Sequence, residues 1–137
     1  MRDIKFIFLH CTATPQSTTV ESILNYWSKV KGWNRVGYHY LIEPDGNVNK
    51  LEELEEIVWG VKGFNSRSVH ISYIGGVDEV NKPLDNRTTK QIEKQIELLK
   101  ELCGRYPKAQ ILGHNEVNNN KACPSFDVQS WLSSVSL

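Results

Sequence analysis

Three residues far apart in the chain carry side chains that bind borderline metals. They are His10, which ends the apolar run Phe6-Ile7-Phe8-Leu9, His114 in Gly113-His114-Asn115-Glu116-Val117, and Cys123 in Lys121-Ala122-Cys123-Pro124. Two imidazoles and a thiolate form a three-ligand set with which a catalytic zinc keeps a fourth position open for water. Zinc held this way brings the pKa of that water to about 7 and polarises a carbonyl, the combination that amide hydrolysis needs. Spacing alone leaves a structural zinc, or no metal, equally open, because no His-Glu-x-x-His motif is present.

Regular elements must bring these residues together. Residues 4–9 read as a strand that delivers His10 at its C-terminal end, with successive side chains facing opposite ways, so that His10 can enter a site while Cys11 enters the core. Thr18 and Glu21 have capping-box spacing, and Val20, Ile23, Leu24, Trp27 and Val30 follow at helical spacing as far as Gly32. Residues 36–42 and 47–51 read as a hairpin about the turn Pro44-Asp45-Gly46. Residues 60–68 lack periodicity and form a loop, followed by a strand over 69–74 that Gly75-Gly76 ends. Thr88 and Gln91 repeat the capping-box spacing ahead of a helix lined by Ile92, Ile96, Leu99 and Cys103, with Gly104 as its stop. A short strand over 109–112 delivers His114, and a last helix over 128–135 begins at Asp127, read as its cap. Alternating strands and helices predict one α/β domain over 1–137, a mixed sheet of about five strands flanked by helices. His10 and His114 then fall at the C-terminal ends of strands, where open α/β sheets place their sites.

The bulk properties narrow the function. The 137 residues carry 16 basic and 16 acidic side chains, a formal charge of zero, which disfavours nucleic acid as the main ligand and shows no polybasic membrane patch. The acidic run at 52–56 reads as a solvated face or a helix start. Three cysteines without paired spacing argue against a disulfide framework. Cys11 and Cys103 read as small buried hydrophobes, whereas Cys123 lies in a polar loop beside a lysine. The run 6–9 is too short for a signal-peptide core and no segment suits membrane insertion, so synthesis in a cytoplasm is expected.

Several segments occur together and in order: Phe8-Leu9-His10-Cys11-Thr12-Ala13-Thr14, Gly32-Trp33 with Val36-Gly37-Tyr38-His39-Tyr40, Lys62-Gly63-Phe64-Asn65, Gly75-Gly76, Gly113 to Val117, and Lys121-Ala122-Cys123-Pro124-Ser125-Phe126-Asp127. Over nearly the whole chain this series resembles the zinc N-acetylmuramoyl-L-alanine amidases, most of all the amidase lysozymes of T-odd bacteriophages. Their fold is shared with peptidoglycan-recognition proteins. The resemblance implies that His10, His114 and Cys123 hold one Zn2+ and that Tyr38 and Lys121 assist catalysis. Tyr38 would orient the attacking water or bond to the intermediate, and Lys121 would put a cation where negative charge develops. On their own, these two residues read as a packing aromatic and a solvated lysine. Glu116 is expected in a supporting role, and His39, facing away from Tyr38, as a satisfied core histidine.

The chain departs from the family pattern in three places. Gly60 stands where these amidases often have a loop histidine, and His70 stands where Ser-Ile-Gly is typical. One reading has His70 projecting toward the cleft and partly replacing the missing imidazole; the other makes it a surface or core histidine. Trp27 precedes Ser28 where a histidine is more usual, which nothing in the sequence explains. The resemblance implies hydrolysis of the amide between N-acetylmuramic acid and L-alanine in peptidoglycan by a monomer with an open groove. The context it implies is a phage or prophage endolysin made in the host cytoplasm, acting on Gram-negative murein after the membrane is permeabilised. Other readings are an antibacterial amidase effector, a non-catalytic peptidoglycan-binding module and a polymerase regulator. The phage relative also inhibits RNA polymerase, partly through an arm ahead of its first strand. This chain begins almost at that strand, so weak or absent polymerase binding is expected.

Overall fold

A computed structural model describes residues 2–137. Its centre is a five-stranded sheet in the order β3-β2-β4-β1-β5. The strands are β1 (Phe6–Cys11), β2 (Tyr40–Ile42), β3 (Val48–Lys50), β4 (Ser68–Tyr73) and β5 (Gln110–Gly113). β1 runs parallel to both β4 and β5, β2 runs parallel to β4, and only the β2–β3 hairpin is antiparallel. This is the mixed α/β sheet expected from the sequence. β1 and β4 are covered on both faces, which is why they read as continuous apolar runs.

Alternation along these strands sorts their side chains into two sets. Ile7, Leu9 and Cys11 of β1 and Val69, Ile71 and Tyr73 of β4 form one core with Leu98, Leu99 and Leu102 of α2 (Thr89–Arg105) and Val128 of α3 (Val128–Ser133). A second cluster joins Ile23 and Trp27 to Leu41 and Ile74. Phe8, His10 and His70 fall on the alternate positions, and both histidines are buried. Cys11 enters the core as expected.

The helix-capping signals act as expected at α2 and α3. The Thr88 hydroxyl accepts the Gln91 N–H (3.1 Å) while the Gln91 side chain accepts the Thr88 N–H (3.0 Å). The buried Gln91 amide also donates to the Ile42 and Ile74 carbonyls (3.1 and 3.0 Å), fastening α2 to the ends of β2 and β4. Asp127 accepts the Ser130 N–H (3.0 Å) and so caps α3.

Three expectations are corrected. The first helix, α1 (Val20–Asn25), is capped by Thr19, whose hydroxyl accepts the Ser22 N–H (3.1 Å), because the Thr18 N–H is already spent on the Pro15 carbonyl (3.1 Å). Its continuation over Tyr26–Val30 is a π-helical turn, which Gly32 ends at φ +68°. His39 extends the β2 pairing, donating its N–H to the His70 carbonyl (3.0 Å) and accepting the Leu51 N–H (2.8 Å), but residues 36–38 do not join it. Instead Val36 accepts a hydrogen bond from Trp59, and Gly37 lies so close to the Trp27 ring that a Cβ would stand 2.8 Å from it. Of the two readings of the acidic run at 52–56, the solvated face holds: it forms turns with Glu53, Glu55 and Glu56 exposed. Gly104 lies inside α2, which continues to Arg105 and is closed by the Tyr106 N–H on the Leu102 carbonyl (2.7 Å). Among the described residues no helix is long and apolar enough to cross a membrane.

Candidate metal centre and active-site cleft

The C-terminal ends of β1 and β5 bring the three candidate ligands together. One donor atom from each of His10, His114 and Cys123 lies within 4.8 Å of the others. His10 presents Nδ1 at 3.6 Å from Cys123 Sγ. A tetrahedral site with Zn–N of about 2.0 Å and Zn–S of about 2.3 Å has an N–S edge of about 3.5 Å, so the spacing fits zinc. His114 opens a 3-10 turn directly after β5, and its ring meets that of His10 edge-on with centroids 5.0 Å apart. The Cys123 loop is pinned from both sides. Its sulfur accepts the Cys11 N–H (3.2 Å), and its carbonyl accepts the Asn115 N–H (2.8 Å).

Tyr38 lies against His10 at 5.0 Å between ring centroids and donates its hydroxyl to the Cys11 carbonyl (3.2 Å). Lys121 is exposed at the rim. Ligands, tyrosine and lysine all line one cleft of about 360 Å³. Glu116 does not touch the ligands. Its carboxylate accepts the Gly113 N–H (2.7 Å) and the Gln129 amide (3.1 Å), which fixes the turn that carries His114. His39 is the buried, satisfied histidine expected of it: Nδ1 accepts the His70 N–H (3.0 Å), and Nε2 donates to the Glu56 carbonyl (2.8 Å).

Electrostatics prepare both imidazoles for a metal. Burial, then the His70 and His114 rings, holds His10 well below the usual imidazole range, so it is neutral and has a lone pair to give. Burial and the Lys121 charge likewise lower His114. The neighbouring Cys11 thiol and burial push Cys123 well up, against the pull of the Cys11 N–H and Lys121, and a cation bound at the sulfur would displace its proton. Burial, reinforced by both cysteines, raises Tyr38 far above its ordinary value and keeps it a hydroxyl.

One feature of the site is absent from the sequence reading, and one decides between its two alternatives for His70. One is an aromatic wall in which Trp27 meets Tyr38 edge-on (5.2 Å), stacks toward Trp33 (6.4 Å), and Trp33 meets Trp59 (5.7 Å). Trp27 carries a signal only as part of the apolar stripe of α1. The other is His70, which is fully buried and absent from the cleft wall; it approaches His10 from behind, with Nδ1 2.8 Å from His10 Nε2. It is thus a core histidine, as one reading had it, and it reaches the metal centre through His10 rather than through the cleft.

Comparisons with known proteins show what the chain is similar to as a whole. The chain is 41% identical over 126 residues to the endolysin of Enterobacteria phage K11, spanning 91% of this chain and 83% of that one. It is 37% identical to the endolysin of Escherichia phage T7, with the same coverage of each chain. The solved Ph2119 endolysin of the Thermus scotoductus MAT2119 bacteriophage superposes with a TM-score of 0.79 at 33% identity, over 96% of this chain and 82% of that one. The family profile described as N-acetylmuramoyl-L-alanine amidase matches residues 1–126, and the chain belongs to that family.

Proposed function

We propose that this protein is an endolysin that hydrolyses the amide between the lactyl group of N-acetylmuramic acid and L-alanine in peptidoglycan, with one zinc ion held by His10 Nδ1, His114 and Cys123. The observation that carries the reading is the convergence of those three donors with Tyr38 and Lys121 in one cleft of a chain from the amidase family. Zinc in such a site supplies Lewis acidity and an activated water. The chain's own residues do the rest. The wall of Trp33 and Trp59 offers flat apolar faces to a saccharide or peptide stem and excludes water from one side of the scissile bond. Tyr38, held as a neutral hydroxyl, turns its proton from the Cys11 carbonyl to the substrate carbonyl oxygen as that oxygen gains charge, and Lys121 adds a cation from the rim. Water's oxygen bonds to the carbonyl carbon, the C–N bond breaks, and both of the water's protons end on the departing nitrogen, which leaves as an ammonium group. The products are a lactyl carboxylate and a free L-alanine amine. On this reading the enzyme is made in the host cytoplasm and meets murein once the membrane is permeabilised.

Digestion of purified murein tests this. New L-alanine amino termini that vanish with a chelator and return with zinc are the expected result; new reducing sugar ends would overturn it.

A further inference from the structure

His70 sits on β4 on the same face as His10 and directly behind it. Its ring is stacked between Phe8 (5.5 Å, 10°) and His39 (6.1 Å, 6°), and its backbone N–H is held by His39 Nδ1 (3.0 Å). Three constraints therefore fix where its Nδ1 points, and it points at His10 Nε2, 2.8 Å away. Above the ring runs the backbone of Gly60. A Cβ at that position would stand 2.3 Å from His70 Nδ1 and 2.6 Å from Cγ. Gly60 is not among the residues with positive φ, so its backbone would admit a side chain; the imidazole occupies the space. Asn65 Oδ1 accepts the N–H groups of Gly60 and Val61 (3.1 and 2.8 Å) and clamps this loop over the ring.

We propose that His70 is a positioning residue for the metal centre: it accepts the Nε2–H of His10, fixes His10 as the tautomer whose bare Nδ1 faces Cys123 and His114, and requires glycine at position 60. The inference rests on the zinc reading above. His10 approaches Cys123 through Nδ1, so that nitrogen must carry a lone pair and the ring proton must sit on Nε2. A buried N–H needs an acceptor, and His70 Nδ1 is the one within reach. His70 then keeps its own proton on Nε2, and this buried nitrogen has no hydrogen-bond partner among the described residues. An unpaired buried donor destabilises the fold. An apolar side chain in the same slot would avoid that cost, and the benefit to set against it is the orientation of His10. Partners of this kind fix the ring orientation of metal-bound histidines and sharpen their affinity.

The test compares zinc dissociation constants of the full chain, by competition with a chromogenic chelator, for the wild type, His70→Leu and His70→Asn. Leucine removes the acceptor; asparagine can return one near the place of Nδ1. The expected result is a loss of about 10- to 100-fold in zinc affinity for His70→Leu, with most of it restored in His70→Asn. The visible spectrum of the Co2+-loaded leucine variant should change as well, and thermal unfolding of the metal-free forms reads out packing separately. Equal affinity in all three, or equal loss in both variants, overturns the proposal. If the wild type itself binds no zinc, the metal reading falls and takes the positioning role with it. Should His70→Leu not fold, imidazole 15N shifts of the zinc-loaded wild type decide: a His10 proton on Nε2 supports the inference, and one on Nδ1 overturns it. Gly60→Ala supplies a further arm, since it should weaken zinc binding in the wild type by more than in His70→Asn; an equal effect in both backgrounds counts against the interlock.

Discussion

His10 and Cys123 face one another across 3.6 Å, yet the molecule holds them by different means. His10 belongs to an interior strand of the mixed sheet that runs parallel to both its neighbours, and its ring is backed by a buried imidazole stack. Cys123 belongs to an irregular loop held by hydrogen bonds from Cys11 and Asn115 and, at the next two residues, by Tyr73 on the Pro124 carbonyl (2.7 Å) and Ser125 on the Gly76 carbonyl (2.8 Å), close to a lysine exposed to solvent. One side of the centre is fixed by strand pairing, while the other rests on hydrogen bonds of an irregular loop that opens to solvent at Lys121. The difference assigns separate jobs: the strand side sets the geometry of the donors, and the loop side completes the site and supplies charge.

Four measurements would break or sharpen that division. The largest effect is expected of Cys123→Ser, which should abolish zinc retention and lower murein hydrolysis by more than about a thousandfold. Full activity would mean that the loop does not complete the metal site. Tyr38→Phe should lower kcat by about a hundredfold or more while zinc affinity stays unchanged; a parallel loss of metal in a chelator competition would turn Tyr38 into a structural part of the strand side. Acid should weaken the strand side. Burial, opposed by the Glu56 carbonyl and aided by Arg2, holds His39 at about 4, below its unfolded value of about 6.5. The folded state therefore binds fewer protons than the unfolded chain. The stability His39 contributes is full above pH 6.5 and fades as pH falls toward 4, a loss of about 2 kcal/mol from pH 7 to pH 5. Denaturant unfolding of the metal-free protein measures this, and His39→Asn should show a shallower acid limb. Smallest is Lys121→Ala, about tenfold in kcat/KM, because an exposed cation is screened by solvent. Its penalty should shrink as salt is raised, and a salt-independent loss would argue for a direct contact instead.

Much of the centre could be read from the chain because few residues could form it. With 4 histidines and 3 cysteines in 137 residues, period-two alternation and strand ends leave little freedom in choosing His10, His114 and Cys123. The Thr88–Gln91 box and the Pro44-Asp45-Gly46 turn were readable because each signal is local and closes within four residues. Thr18 and Thr19 are chemically equivalent as caps, and only the Pro15 turn decides between them. Gly104 reads as a stop, but glycine costs a helix only about 1 kcal/mol, and the packing of Leu102 carries α2 past it. The contact between the Gly60 backbone and the His70 ring was not readable, since it depends on the register of a loop over a strand. Its trace in the sequence was that one departure removes an imidazole and the other adds one.

The position of the ligands along the chain has a last consequence. His10 and Cys123 are 113 residues apart, so a shared metal ion would act as a clasp that closes almost the entire polypeptide into a ring. Closing so large a loop restricts the unfolded chain far more than the folded one, and the free energy of metal binding becomes resistance to unfolding. Limited proteolysis should then cut the chelated protein faster than the zinc-loaded one, so that a chain starved of metal is short-lived as well as inactive.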